Sequence, residues 1–287
     1  MQHVRILITG AAGALAEDVI PALRNHGHTV TCLDEQPGPV SESDWVTCSI
    51  TDRSRLRQAM SGFDTVIHLA GIPLEADWET IARVNIDGTQ AVLEAAHAQG
   101  VSRVILASSI HATGYTPYPV ADLSGRDSLV PDADRSQAVL ADDVGVKPDT
   151  FYGVSKAALE ALGSLYHYRY GMDVICLRIA SRFVEPQNVR MLSTWLSPAD
   201  AGRLFVAAVC TPNPGYQIVW GVSANTRSPF STSGGAAIGF YPEDDAEDFA
   251  PAVLERAGGE ASDRSSRFYI GGEFCTDNPP MYSPRKD

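Results

Sequence analysis

The sequence predicts an α/β fold, a doubly wound parallel sheet with a small C-terminal lobe, and three observations carry that expectation. A short apolar run, Val4 to Thr9, passes through a glycine-rich turn into a helical pattern. Apolar runs of strand length then alternate with helical stretches up to about residue 110. A helical segment rich in Ala and Leu follows Phe151, with Tyr152 and Lys156 four residues apart at its start. Strands alternating with helices wind into one parallel sheet, because each crossover lays a helix across a sheet face.

Taken in order, the first strand runs into Gly10-Ala11-Ala12-Gly13-Ala14-Leu15-Ala16, then a helix to about Asn25 that Gly27 ends. Glycines after a strand and at a helix start let backbone approach a pyrophosphate, which the helix N-terminus stabilises. Gly10, Ala12, Gly13, Ala14 and Leu15 are therefore candidate dinucleotide contacts, and Ala16, standing where the usual fingerprint has a third glycine, is small enough for close packing. A second strand, Thr29 to Leu33, ends in Asp34, which can accept hydrogen bonds from ribose hydroxyls and would repel a 2′-phosphate. No Arg follows it in Glu35-Gln36-Pro37-Gly38, so the cofactor reads as NAD. A solvent-facing turn aspartate is the plainer alternative.

A strand near Trp45 to Cys48, a helix near Arg53 to Met60 and a strand Thr65 to Ala70 continue the alternation, and Gly71 follows where backbone would pass the cofactor. His68 lies inside that apolar strand and reads as a core histidine. One helix is expected over roughly Trp78 to Gln99, capped by Asp77, with Asn85 as a polar residue on its core-facing side. The strand Arg103 to Ala107 then delivers Ser108-Ser109-Ile110-His111. Between residues 115 and 150 the pattern breaks into Pro, Gly, Ser and Asp, apart from a short helix around Ser136 to Ala141. Such a length of loop reads either as a lid at the rim of a site or as an unstructured acidic excursion.

After the Tyr152 helix, which Gly171 closes, come a strand Asp173 to Ile179, a loop Ala180 to Pro198, a helix Ala199 to Cys210 and a strand Tyr216 to Trp220. A turn-rich stretch to Gly239 and a helix near Ala246 to Arg256 complete a substrate-side lobe. The expected division is 1–180 for dinucleotide binding and 181–287 for that lobe, interleaved with it. Tyr152 and Lys156 share a helix face, and an ammonium beside a phenol favours the phenolate, which otherwise forms only near pH 10.

Composition narrows the classes. A net charge of −13 argues against a nucleic-acid partner, which needs clustered Lys and Arg, yet allows a small anionic substrate. The odd count of five cysteines (Cys32, Cys48, Cys176, Cys210, Cys275) lacks metal-ligand spacing and reads as reduced core thiols; the seven histidines are likewise scattered, so no metal is expected. No segment reaches the length of a membrane span, and the first strand begins at once, so the expected compartment is the cytoplasm.

With TGAAGALA, Asp34, HLAG (His68 to Gly71), ASS (Ala107 to Ser109) and YGVSK in this order, the chain resembles the extended short-chain dehydrogenase/reductases. The resemblance implies a Rossmann-type fold, with Ser109, Tyr152 and Lys156 as the catalytic set. It also implies cofactor contacts from Ser49, Ile50, Leu69, Ala70 and Gly71, and further ones from Asn85, Ser108 and Ile179. Ser49 stands where an acidic residue commonly meets adenine. The segments Arg190 to Ser197, Val219 to Asn225 and Arg267 to Gly272 resemble those of the uronate dehydrogenases, which oxidise the anomeric carbon of a hexuronate to an aldarolactone.

That second resemblance implies that Ser181 and Arg190 hold a substrate carboxylate, with His111 and Phe268 lining the pocket. Two departures stand out: Ile110 where Asn is usual, and Pro73 where Ser is usual. Both remove polar partners for sugar hydroxyls, at about 1–3 kcal/mol for each hydroxyl buried unpaired. Arg182 adds an unexpected cation beside Ser181. Another sugar or sugar phosphate, a nucleotide-sugar epimerase or dehydratase reaction, and a non-catalytic NAD-sensing role are the rival readings. The extended family often dimerises through the Tyr–Lys helix, and the aromatic run Tyr166 to Tyr170 is compatible with a homo-oligomer.

Overall fold

The computed structural model describes residues 3–38, 44–118, 139–258 and 268–283. β1 (Arg5–Thr9) turns through Gly10 into α1 (Ala14–Asn25), and β2 (Thr29–Asp34) returns alongside β1. Then come β3 (Trp45–Thr47), α2 (Arg53–Ala59), β4 (Thr65–His68), α3 (Trp78–Ile81), a π-helical stretch Ala82–Asp87, α4 (Gly88–Ala98) and β5 (Arg103–Ser109). α5 (Phe151–Tyr170), β6 (Asp173–Ile179), β7 (Ser181–Arg182), α6 (Met191–Thr194), β8 (Trp195–Leu196) and α7 (Pro198–Cys210) follow. The described chain continues with β9 (Tyr216–Gly221), α8 (Ser233–Ile238) and α9 (Ala250–Arg256).

The main sheet has the order β3-β2-β1-β4-β5-β6-β9 with every pairing parallel. Strand order reverses between β1 and β4, and such a switch point opens a crevice at the carboxyl ends of the strands. Side chains alternate across the sheet as strand geometry requires. Ile6 and Ile8 pack with Val19, Leu23, Leu204 and Phe205 on one face, and Leu7 packs with Leu56, Leu93 and Leu159 on the other. β9, from beyond residue 180, completes this sheet, while β7 and β8 pair with each other beside it.

Four features differ from the sequence reading. The helix expected over 78–99 is broken in register by the π-helical stretch, which carries Asn85; π turns recur at functional sites. Of the short helix expected over 136–141, residues 136–138 lie outside the described residues, and Leu140 forms a bridge with Phe230 instead. Arg178 donates to the Asp142 and Val144 carbonyls at 3.2 and 2.9 Å, which holds this segment against the core without a helical ladder. β7, α6, β8 and α8 have two to six residues each, too few for a periodic signature. Cys210, expected in the core, is exposed at the end of α7; the other cysteines are buried or half-buried, and all five are free. Residues 119–138 of the expected lid, and Arg267, lie outside the described residues.

Candidate active site

At the crevice, Gly10 has φ +77° and a Cβ there would sit 2.4 Å from Ala70 N, so the β1–α1 turn backs directly onto the end of β4. Only glycine meets both conditions. Asp34, half-buried, accepts from Ala12 N and Gln36 N at 3.0 Å each, so its carboxylate fixes the glycine loop and the turn after β2 together. Gly13 gives α1 no side-chain cap, which leaves first-turn amides for an anion, and Ala12, Gly13 and Ala14 are exposed. Ile50 is buried against Gly88, and Ser49 bonds Thr51. These residues fit a dinucleotide with a free ribose 2′-hydroxyl.

Asn85 is buried under the loop after β4. It accepts from Ile72 N at 2.7 Å and donates to Ile72 O and Ser155 Oγ at 3.0 Å, tying that loop to the start of α5. His68 is the satisfied core residue expected: Thr9 and Thr89 hydroxyls meet its two nitrogens at 2.8 and 3.0 Å, and burial pushes it down to about 3. Alternation on β5 turns the Ser108 hydroxyl away from Ser109 and onto Glu160 at 2.6 Å, which leaves its backbone to face the cleft side of the strand end.

α5 starts under double control, since Thr150 Oγ1 accepts from Gly153 N and the Glu75 carboxylate accepts from Phe151 N and Tyr152 N at 3.2 and 2.9 Å. Its first turns carry Tyr152 and Lys156, both buried, with Lys156 Nζ 5.5 Å from the tyrosine ring centroid. The expected lowering of the phenol by the lysine is not what the protein alone produces. Burial pushes Tyr152 up to about 12, against a hydrogen bond with Ser109 that pulls it down. Burial likewise pushes Lys156 down to about 8, with Glu160 opposing. The ammonium is directed at the Ala107 carbonyl, 2.7 Å away, rather than at the phenol.

On the substrate side, Arg190 is partly buried and donates through Nε and Nη2 to the Ile270 carbonyl, and through Nη1 to Ser181 Oγ at 3.4 Å. Three of its five N–H donors are thereby used, leaving one on each terminal nitrogen. Its backbone neighbour Gly272 leads to Phe274, whose ring lies 3.8 Å from the His111 ring and 6.3 Å from that of Tyr152, centroid to centroid. Arg190, His111 and Tyr152 therefore gather around the 270–274 segment, with Ser109 Oγ beside His111 N.

Two expectations are corrected there. Ile110 packs with Leu140, Trp220, Val222, Phe230 and Ile270 at 1% exposure, serving the core rather than a ligand. Phe274 supplies the ring against His111, and the Phe268 carbonyl accepts from Tyr118 N at 3.0 Å. Arg182 is held by Asp18 of α1 through two short bonds, 2.5 and 2.6 Å, and is no free anion contact. Pro73 is exposed. The sequence reading missed Phe274, Asp149, Glu75 and Glu160. Only Asp149 carried a hint, by standing three residues before Tyr152.

A glycine-lined crevice at the sheet's switch point, beside a buried Tyr–Lys pair on one helix, defines an NAD-binding oxidoreductase architecture. The model of the NAD dependent epimerase/dehydratase family matches residues 6–212, so the chain belongs to that family, and its dehydrogenase relatives make it an NAD-dependent oxidoreductase. It is 35% identical to the uronate dehydrogenase of Pseudomonas putida over 96% of this chain and 97% of that protein. It is 33% identical to an NAD-dependent glucose-6-phosphate dehydrogenase of Haloferax volcanii, over 85% and 95%. A mutant uronate dehydrogenase from Agrobacterium tumefaciens, solved complexed with NAD, superposes with a TM-score of 0.85 at 32% identity, covering 98% of this chain and 100% of that one.

Proposed function

We propose that this protein oxidises the anomeric carbon of a hexuronate, in its ring form, to an aldarolactone. The observation that supports the substrate class most directly is Arg190. A guanidinium held by Ile270 and Ser181 keeps a terminal N–H on each side for a planar anion, which suits a carboxylate. Bound NAD supplies the hydride acceptor and, in its oxidised form, a positive charge in the cleft that favours the phenolate. Tyr152 takes the proton of the anomeric hydroxyl as the carbon loses its hydride, and Ser109, close enough to the phenol to pull its titration down, orients that hydroxyl. Lys156, anchored on Ala107, holds positive charge under the same ring.

Asp34 suits the unphosphorylated ribose of NAD. The engagement of Arg182 by Asp18 speaks against a sugar phosphate, since it removes the second cation such a group would call for. The test is NAD reduction measured against free uronates, neutral sugars and sugar phosphates, with the product identified. Uronates should be oxidised and yield a lactone. Tyr152→Phe should bind NAD as the wild type does yet lose nearly all turnover; full activity in that variant would remove the tyrosine from the chemistry.

A further inference from the structure

Asp149 is a buried charge to which the reaction outlined above gives no task. Its carboxylate is fully covered, with Oδ2 2.6 Å from His111 Nδ1 and Oδ1 accepting from the Thr150 hydroxyl at 3.0 Å. Glycines from three separate segments surround it. A Cβ on Gly114 would come 1.9 Å from Oδ2, one on Gly271 2.2 Å from the same atom, and one on Gly153 2.8 Å from Oδ1. A slot closed this tightly holds the carboxylate in one place.

The partner ring is fixed as well. Phe274 lies against His111 at 3.8 Å and Tyr152 stands 5.7 Å away, centroid to centroid, while His111 N donates to Ser109 Oγ at 3.2 Å. A neutral imidazole can carry its proton on either nitrogen, and a carboxylate at 2.6 Å from Nδ1 requires the proton there. Burial lowers the histidine, with Arg190 acting in the same direction and Asp149 against it, so the ring is neutral at pH 7. Nε2 then presents a lone pair. Among the described residues it has no protein partner, and the His111 side chain keeps 11% of its surface exposed.

We propose that Asp149 is a positioning residue for substrate. By holding the His111 proton on Nδ1 it makes Nε2 an acceptor for a ring hydroxyl of the sugar acid, so that the site still selects a hydroxylated ring despite Ile110 and Pro73. This rests on the sugar-acid reading of the site and deepens it. No proton is transferred to Asp149, whose part is to set the tautomer and ring orientation.

The experiment pairs Asp149→Leu with ¹⁵N-labelled histidine NMR and steady-state kinetics on the full chain. The wild type should show His111 as the Nδ1–H tautomer, and Asp149→Leu should shift it to Nε2–H. KM for the uronate should rise roughly tenfold, the scale of one neutral hydrogen bond, with kcat and NAD affinity far less affected. A single mono-deoxy uronate, lacking the hydroxyl that Nε2 accepts, should show no such rise. Asp149→Asn keeps the size of the side chain and, with its oxygen still accepting from the Thr150 hydroxyl, turns an amide N–H toward Nδ1; it should move both readouts the same way, which guards against a leucine variant that does not fold. An unchanged tautomer, or an unchanged KM alongside a changed tautomer, would overturn the proposal. A wild type that oxidises no uronate but shows the tautomer shift would overturn the substrate reading while upholding Asp149's hold on the ring.

Discussion

Lys156 should cost the protein stability, and replacing it by methionine tests this. Burial takes its titration from 10.5 down to about 8. At about 1.4 kcal/mol per pH unit, the folded state carries the ammonium at a cost of about 3 kcal/mol relative to a neutral chain of the same shape. The sign follows from proton counting. Below pH 8 folded and unfolded forms are both charged and the cost is paid in full. Above pH 10.5 both are neutral and it vanishes. Between those limits the unfolded chain binds more protons, so stability rises with pH. Methionine does not titrate, so the difference between the two proteins isolates the effect. Lys156→Met also leaves the Ala107 carbonyl without its donor, a loss of about 1 kcal/mol. Urea unfolding at pH 7, 8.5 and 10 should therefore show the variant about 2 kcal/mol more stable at pH 7, with the gap closing toward pH 10. A variant less stable than wild type at pH 7, or a gap that stays constant with pH, would refute the reasoning. Activity should be lost throughout, since stability at a working site is commonly given up for function.

Two further perturbations address the charges around the site. Arg190→Lys keeps the charge but not the planar fork, and should lower kcat/KM for a uronate roughly 10- to 100-fold while leaving NAD affinity and any neutral-sugar activity unchanged. Glu160→Gln breaks a pair in which both Arg178–Glu160 contacts are 2.9 Å and the arginine is 1% exposed. It should cost roughly 3–5 kcal/mol in chemical denaturation, whereas Glu160→Leu with Arg178→Met should recover most of that; a double variant no better than the single one would show that the pair is not what matters.

The strand–glycine–helix start, the parallel alternation through β5 and the Tyr152 helix with its Gly171 end were legible because each rests on local pattern: apolar runs, a glycine loop after a strand, and a C-terminal glycine that takes φ +73°. The substrate lobe was not. β7, α6 and β8 hold their places through contacts distant in sequence, such as Ser181 with Trp195, and the ring against His111 comes from position 274 because the 270–274 segment folds back onto residues 114–116. Ile110 and Arg182 were misread for a related reason. Sequence position put them beside functional neighbours, but their side chains go to partners no local pattern names, an apolar cluster and Asp18.

The same limit governs the chemistry of α5. Four-residue spacing correctly puts a phenol and an ammonium on one face, yet says nothing of how dry that face is, and dryness decides which form each group takes. Three carboxylates divide the control between them. Glu75 holds the amides that begin the helix. Glu160, one turn past Lys156, favours the ammonium that burial opposes. Asp149 adds negative charge near the phenol, which raises it further. The tyrosine is thus kept protonated by its own surroundings. If it is the base, its activation must be coupled to the arrival of positive charge in the cleft, so that the phenolate forms where the cofactor is bound and not in the free enzyme.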